Sequence, residues 1–171
     1  MTEHVVEPHH RPQVVLMCGV AGSGKTTYAQ RLEAEGFVRL SIDEEVWARF
    51  GRYGIDYDAH DYSELSEVAE DALRQRLLEL IALGRDVVVD FSFWSRVSRD
   101  RYKQLVEEAG GCWRLVHLQV PPDILRQRLA ERSQRFDANA AFTIDETTLI
   151  RYLDGFEAPD GEGEEVHTIT E

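Results

Sequence analysis

The feature that constrains this chain most is a glycine-rich segment near its start, Gly19-Val20-Ala21-Gly22-Ser23-Gly24-Lys25-Thr26. It matches the pattern G-x-x-x-x-G-K-[ST] at every fixed position. Glycines let backbone N–H groups approach and wrap the phosphates of a nucleotide. Lys25 would then reach the β- and γ-phosphates, and the Thr26 hydroxyl would bind Mg²⁺. The segment predicts ATP and Mg²⁺ as ligands, held by Gly19, Ala21, Gly22, Ser23, Gly24, Lys25, Thr26 and Thr27.

The residues on either side of this loop support the prediction. The short apolar run at 14–18 is rich in β-branched residues and indicates a buried strand. Residues 25–35 follow the loop and indicate a helix that ends before Gly36. A strand, a glycine-rich loop and a helix N-terminus in this order suit an anion, because the helix dipole and its free N–H groups point at it.

Composition limits the kind of protein. The chain has 171 residues, enough for one domain, which we expect at 13–171 after a disordered leader at 1–12. The net charge of −13 argues against a nucleic-acid partner, because binding one requires a basic face. No apolar stretch approaches the ~18–20 residues of a membrane span, and the leader lacks signal-peptide features. Cys18 and Cys112 fit buried thiols in a reducing compartment, so we expect a cytoplasmic protein. We also expect a monomer or a homodimer.

Strand-like and helix-like segments alternate along the chain. Strands are expected at 14–18, 37–42, 87–89, 113–120 and 166–170, and helices at 25–35, 44–50, 63–83, 95–109, 123–132 and 145–153. This alternation predicts an α/β fold with a parallel sheet and helices on both faces. Ligands of such sheets bind beyond the carboxyl ends of the strands.

Two aspartates follow predicted strands at that edge. Asp43 ends Leu-Ser-Ile-Asp, and Asp90 ends Val-Val-Val-Asp. Beside a phosphate site, one carboxylate can orient Mg²⁺ while the other accepts a proton from an attacking hydroxyl. The alternative is that each aspartate caps the helix that follows it.

Four arginines lie within ten residues after the fourth strand, at 126, 128, 132 and 135. Arg128 and Arg132 are four residues apart and share a helix face. Arginine binds phosphate oxygens with a planar fork and stacks on aromatic rings. The alternative is a solvated basic face that pairs with Glu131 and nearby acids.

The acceptor pocket is expected to include Trp47, Tyr53, Asp90, Trp94 and Arg99 together with Asp43. An acidic run that includes Asp56, Asp58 and Asp61 lies nearby in the sequence. Carboxylates beside aromatic faces would suit a cationic hydroxyl compound, and an aminoglycoside antibiotic is one example. The alternative is that these carboxylates are solvated surface groups.

Several of these segments together resemble the small P-loop kinases related to polynucleotide kinases, zeta-type toxins, chloramphenicol phosphotransferase and gluconate kinase. Within that group the chain is most similar to bacterial proteins described as AAA family ATPases or ATP-binding proteins. The matching segments are 19–26, 40–43, 87–94, Arg-Leu-x-x-Arg at 128–132 and Phe-Glu-Ala-Pro at 156–159. The resemblance implies a nucleoside-monophosphate-kinase-like, five-stranded sheet of order 2-3-1-4-5.

The same resemblance implies roles for individual residues. Asp43 matches the general base, Arg128 an arginine that contacts adenine, and Arg132 an arginine that reaches the phosphates from a lid, expected around 128–143. Asp90 matches the acidic end of the strand beside the P-loop strand, and we expect it to serve Mg²⁺ with Thr26. Either Arg96 or Arg99 matches an arginine that supports substrate or phosphate.

Three functions follow as hypotheses. The first is ATP-dependent phosphorylation of a small-molecule hydroxyl, with Asp43, Lys25 and Arg132 as catalytic residues. The second is an end kinase of nucleic acids, of repair type, or a toxin that phosphorylates a nucleotide sugar. The third is a nucleotide-dependent ATPase switch.

Overall fold

Five parallel strands form one sheet in the computed structural model, which describes residues 10–170. The strand order is β2-β3-β1-β4-β5, so the predicted order 2-3-1-4-5 is confirmed. The strands are β1 Gln13–Cys18, β2 Val38–Ser41, β3 Val87–Asp90, β4 Cys112–Gln119 and β5 Glu164–Thr168.

Helices cover both faces of this sheet. They are α1 Lys25–Ala34, α2 Ile42–Phe50, α3 Tyr62–Ala82, α4 Arg96–Glu108, α5 Pro122–Arg132 and α6 Glu146–Gly155. Two short 3₁₀ turns, Ala59–Asp61 and Ala138–Ala140, lie in the connections. None of the helices within 10–170 has the length and apolar character that crossing a bilayer requires.

The central strand β1 explains how the two faces form. Successive side chains of a strand point to opposite faces. Val14 and Leu16 join the core beneath α3 and α4, whereas Val15 and Met17 join the core beneath α1. A strand buried on both faces must be apolar throughout, which is why residues 14–18 contain no polar residue except a buried cysteine. Burial also raises the pKa of the Cys18 thiol to about 11, which keeps this group protonated.

The junction between β2 and α2 differs from the sequence prediction. Strand β2 ends at Ser41 and helix α2 begins at Ile42. The Ser41 hydroxyl accepts a hydrogen bond from the Glu44 N–H and caps the helix. Asp43 therefore lies in the first helical turn and is not the cap, and its carboxylate remains available for another role.

The end of β3 shows the same separation of roles. Asp90 is the last residue of β3, paired in register with Ser41 of β2. The cap of the following helix is Ser95, which accepts from the Ser98 N–H. The alternative that Asp43 and Asp90 are merely helix caps is therefore excluded by the structure.

The chain ends were predicted less accurately than the centre of the sheet. Strand β5 covers Glu164–Thr168 instead of 166–170. Only residues 10–12 of the expected leader lie within the described part. There Arg11 donates to the Gly111 carbonyl, and the Pro12 carbonyl accepts from the Cys112 N–H.

Candidate active site

The glycine-rich loop lies at the carboxyl edge of the sheet, between β1 and α1. Gly24 takes a left-handed backbone (φ 97°) at the N-cap of α1, and no side chain caps this helix. Its first N–H groups are therefore free to bind an anion. The Lys25 ammonium donates to the Val20 carbonyl at 3.0 Å, and desolvation lowers its pKa.

Two observations show that this loop is shaped for a ligand. A Cβ on Gly19 would lie 2.6 Å from Ser23 Oγ, so a larger residue would disturb the loop. The Ser23 hydroxyl is buried and has no hydrogen-bond partner within residues 10–170. A buried hydroxyl without a partner is costly, and a phosphate oxygen would supply one. The residues present thus fit the phosphates of a nucleotide.

A cleft of about 1190 Å³ opens above this loop. Ala21, Gly22, Ser23, Gly24, Lys25, Thr26 and Thr27 line it, together with Asp43, Asp90, Trp94, Arg128 and Arg132. Gly19 lies behind the wall, where its N–H donates to the Ser92 carbonyl at 3.3 Å. Twelve of the residues predicted from sequence therefore border one cavity.

Thr26 and Asp90 meet at the floor of this cleft. The Thr26 hydroxyl donates to Asp90 Oδ2 at 3.2 Å. Hydroxyl and carboxylate oxygens are the ligands that Mg²⁺ prefers, so the pair fits the ion that the P-loop implies. Arg39 also donates hydrogen bonds to Asp90 Oδ2, from Nε at 3.1 Å and from Nη2 at 2.8 Å.

Arg39 also connects this floor to the predicted lid. Its buried guanidinium pairs with Glu44 at 2.7 Å and donates to Asn139 Oδ1 at 3.3 Å. Asn139 in turn donates to Glu44 at 3.2 Å. Arg39 lies within a short strand and belongs to no sequence motif, so its place in the site is visible only in the structure.

Asp43 projects into the cleft from the first turn of α2. It is exposed to the open cavity, yet protein atoms crowd its carboxyl, and this desolvation raises its pKa. A hydrogen bond from the Tyr62 hydroxyl, at 3.1 Å, and the charge of Arg132 oppose the increase. A carboxylate whose pKa is raised is a better proton acceptor than an ordinary one.

The two predicted nucleotide arginines extend from α5. Arg128 Nη1 donates to the Gly22 carbonyl at 3.2 Å. Arg132 faces the cleft, and its Nε is buried with no hydrogen-bond partner in the described part of the chain. Arg126 and Arg135, by contrast, pair with Glu146 and Asp137 at the surface.

Much of the remaining cleft lining comes from α2, α3, α6 and the segment after β3, and we call it the acceptor side because an acceptor would bind there. The Trp94 ring contacts Tyr152 edge to face at 4.9 Å between centroids. Ser66, Ser92 and Ser95 add hydroxyl groups to the lining. This wall therefore offers aromatic faces and hydroxyls, together with the carboxylate of Glu70, which accepts a hydrogen bond from the Tyr102 hydroxyl at 2.8 Å.

Arg99 is a correction to the sequence prediction. Its side chain is fully buried beneath the sheet edge, and its Nε and Nη2 donate to the two oxygens of Glu162, each at 2.9 Å. Its Nη1 donates to the Phe93 carbonyl at 2.8 Å. Arg99 cannot reach a substrate, because its donors hold the backbone of Phe93, a residue with φ 48°. Arg96 is exposed and lies 3.6 Å from Asp100.

Two predicted aromatic residues lie outside the large cleft. Trp47 contacts Phe136 at 5.4 Å between centroids and lines a small adjoining cavity of about 30 Å³. Tyr53 packs behind Tyr62. The acidic run is also elsewhere: Asp56 pairs with Arg52 and Asp58 with His60, both at the surface.

Sequence comparison identifies relatives of this chain. The family model described as an AAA domain matches residues 14–159. UPF0200 protein PAE1629 of Pyrobaculum aerophilum is 27% identical over 124 residues, which cover 72% of this chain and 68% of that protein. Disease resistance protein RPH8A of Arabidopsis thaliana is 28% identical over 126 residues, 66% of this chain but only 13% of that protein.

Structural comparison identifies kinase-like neighbours. A candidate kinase from Chloroflexus aurantiacus has a TM-score of 0.75 at 18% identity, covering 95% of this chain and 86% of that one. Kti12 of Chaetomium thermophilum, solved with ADP-AlF₃, has a TM-score of 0.65 at 14% identity, covering 91% and 88%. A gluconokinase from Sinorhizobium meliloti has a TM-score of 0.55 at 21% identity, covering 95% and 83%.

At these identities the structural likeness concerns the fold, whereas the family model covers most of the sequence. The strand order and the loop between β1 and α1 agree with it. The protein therefore belongs to the AAA domain family and has the fold of the small P-loop kinases.

Proposed function

We propose that the protein transfers the γ-phosphate of ATP to a hydroxyl group of a small molecule. The observation that carries this proposal is that Lys25 and Asp43 line one cleft. Its volume of about 1190 Å³ exceeds the ~300–1,000 Å³ of most ligand pockets, which leaves space for an acceptor beside a nucleotide. A pure nucleotide switch would not need a carboxylate of raised pKa facing that space.

The residues divide the work of an in-line transfer. The acceptor oxygen forms a bond to the γ-phosphorus as the bond from that phosphorus to the β–γ bridging oxygen breaks, and ADP leaves. Asp43 takes the proton of the acceptor hydroxyl. Lys25 and Arg132 place positive charge around the moving phosphoryl group. Mg²⁺, held near Thr26 and Asp90, would neutralise phosphate charge.

The lining of the acceptor side supports an uncharged, hydroxyl-bearing acceptor. Ser66, Ser92 and Ser95 can exchange hydrogen bonds with hydroxyls, and Trp94 and Tyr152 offer flat faces to a ring. An aminoglycoside would require several carboxylates, but Asp56 and Asp58 are paired outside the cleft, and Glu70, which lines it, already accepts a hydrogen bond from the Tyr102 hydroxyl. We therefore place a neutral polyhydroxyl compound ahead of a cationic antibiotic as the acceptor.

Mass spectrometry of a pooled incubation tests this proposal. The pool contains Mg-ATP with sugars, polyols, nucleosides, nucleotide sugars, aminoglycosides and short oligonucleotides with free 5′-hydroxyls. A neutral polyhydroxyl compound that gains one phosphate is the expected result, and the Lys25→Met protein is the control that should give none. Formation of ADP and free phosphate without any adduct would contradict the proposal and favour an ATPase switch.

A further inference from the structure

Tyr62 lies at the first position of α3, and its hydroxyl contacts the carboxylate that the proposed function uses as a base. The distance from Tyr62 Oη to Asp43 Oδ1 is 3.1 Å. We propose that Tyr62 is a positioning residue, which holds Oδ1 of Asp43 so that Oδ2 faces the acceptor hydroxyl. This inference rests on the proposed function, and it adds a residue that neither the sequence motifs nor the comparisons identify.

Aromatic packing fixes the position of the Tyr62 ring. Tyr53 and Phe142 contact it edge to face, each with 5.5 Å between ring centroids. Tyr53 and Phe142 also contact each other at 4.8 Å, so the three rings form a closed cluster. Phe142 follows the 3₁₀ turn at Ala138–Ala140, within the predicted lid. A ring held on two sides keeps its hydroxyl at a constant distance from α2.

The direction of the hydrogen bond follows from the protonation states. Burial, followed by the nearby charge of Asp43, raises the pKa of Tyr62 above its usual range. Tyr62 therefore stays protonated at neutral pH and donates, while Asp43 accepts on Oδ1. Within residues 10–170, no hydrogen bond reaches Oδ2 of Asp43, and that oxygen is left for the acceptor proton.

Other charged and titratable groups also face Asp43, and a test must hold them constant. They are Lys25 of α1, Tyr57 of the loop between α2 and α3, Asp90 of β3, Arg132 of α5 and Tyr152 of α6. The charges of Arg132 and Lys25 lower the pKa of Asp43, whereas the charge of Asp90 raises it. Replacing Tyr62 by phenylalanine removes one hydroxyl and leaves all five groups in place.

The experiment compares Tyr62→Phe with Tyr53→Phe. Both variants lose one hydroxyl from the same aromatic cluster, but only Tyr62 contacts Asp43. The carboxyl of Asp43 is titrated by ¹³C NMR in aspartate-labelled protein, with its signal assigned by its loss in Asp43→Asn. In parallel, the pH profile of ATP hydrolysis is measured with water as the acceptor.

Loss of the Tyr62 hydroxyl should raise the pKa of Asp43 by about one unit, because a donor to the charged form is removed. The acid limb of hydrolysis should move upward by the same amount, with kcat about tenfold lower and KM for ATP unchanged. Tyr53→Phe should leave the Asp43 pKa and the position of the acid limb unchanged.

An Asp43 pKa that is the same in Tyr62→Phe and Tyr53→Phe would overturn the inference. The failure of the proposed function has a different signature: Asp43→Asn would then hydrolyse ATP and transfer phosphate at the rate of the unaltered protein. If Asp43→Asn is inactive and the two tyrosine variants behave alike, only the role of Tyr62 is refuted.

Discussion

The phosphate side and the acceptor side of the cleft are formed by different kinds of segment: one continuous loop forms the first, and several separate elements form the second. Consecutive residues of one loop and one helix end form the phosphate side, where no side chain caps the first N–H groups of α1. Side chains from α2, α3, α6 and the segment after β3 form the acceptor side. The phosphate side also has one buried serine hydroxyl without a partner in the described chain, that of Ser23.

This difference determines which amino-acid substitutions each side of the cleft can tolerate. A backbone cradle tolerates few substitutions, because its shape depends on glycines such as Gly19, whose Cβ would meet Ser23. Side chains from separate elements can change singly without altering the fold. The phosphate side is therefore suited to a ligand shared by many proteins of this fold, whereas the acceptor side can differ from one such protein to the next.

The largest effect is expected on the phosphate side, from Lys25→Met. Loss of this charge should lower kcat/KM about a thousandfold, because in the proposed mechanism the Lys25 ammonium stabilises the moving phosphoryl group, and should also weaken ATP binding about tenfold. Steady-state kinetics and calorimetric titration measure the two effects. Arg76→Met, an exposed residue of α3 paired with Glu79, is the matched control and should change neither.

A second substitution, Arg132→Met, tests the region where the two sides meet. The guanidinium of Arg132 faces the cleft, and its charge lowers the pKa of both Lys25 and Asp43. We expect kcat to fall about a hundredfold, with a smaller change in KM for ATP, because the charge acts mainly on the transition state. The control is Arg126→Met, which removes a side chain that pairs with Glu146. If Arg126→Met lowered kcat and ATP affinity as much as Arg132→Met does, this assignment would be contradicted.

Glu162→Gln tests whether a buried ion pair supports the acceptor side. The substitution leaves Arg99 buried without its anion, which should lower the free energy of unfolding by about 3 kcal/mol. Glu165→Gln, in a partly exposed pair with Arg114, should cost less than about 1 kcal/mol. Urea denaturation of both proteins measures the difference, and equal losses would refute the argument.

The same pair predicts a dependence of stability on pH. The hydrogen bond from Arg99 lowers the pKa of Glu162 below its ordinary value. The folded state is thus stabilised above the unfolded pKa, and this contribution is lost as pH falls through the lowered pKa. Glu162→Gln should therefore show a flatter loss of stability on acidification than the unaltered protein.

The smallest effect is expected from Asp56→Asn, which removes a charge from the acidic loop. Because Asp56 pairs with Arg52 at the surface, transfer should change less than about twofold for every acceptor tested. A large loss confined to cationic acceptors would show that this loop reaches the substrate, and would restore the cationic antibiotic as the favoured acceptor.

Nearly all the residues that the sequence assigned to the phosphate side line the cleft, because the geometry of that side is local. A contiguous motif between a strand and a helix specifies Lys25 and Thr26 without knowledge of the rest of the fold. Asp43 and Asp90 were also predictable, since both follow or end strands that meet at one edge of a parallel sheet. The strand order itself came from family resemblance.

The acceptor side was predictable only in part, since its contacts join distant segments. Arg99 was expected to bind a substrate, but its partner Glu162 lies 63 residues away, in a segment without a recognisable pattern. Arg39 and Tyr62 were missed for the same reason, as their partners come from other elements. Periodicity shows which face of an element is buried, but it does not show which polar groups meet across elements.

Asp43→Asn provides the most direct test of the central claim that this cleft transfers phosphate to a hydroxyl group. The measurement follows labelled γ-phosphate from ATP into the pooled acceptors and, separately, the Kd for ATP. The account predicts a loss of transfer of at least about a hundredfold with Kd changed less than about threefold. Transfer at the rate of the unaltered protein would contradict it and remove Asp43 from the mechanism.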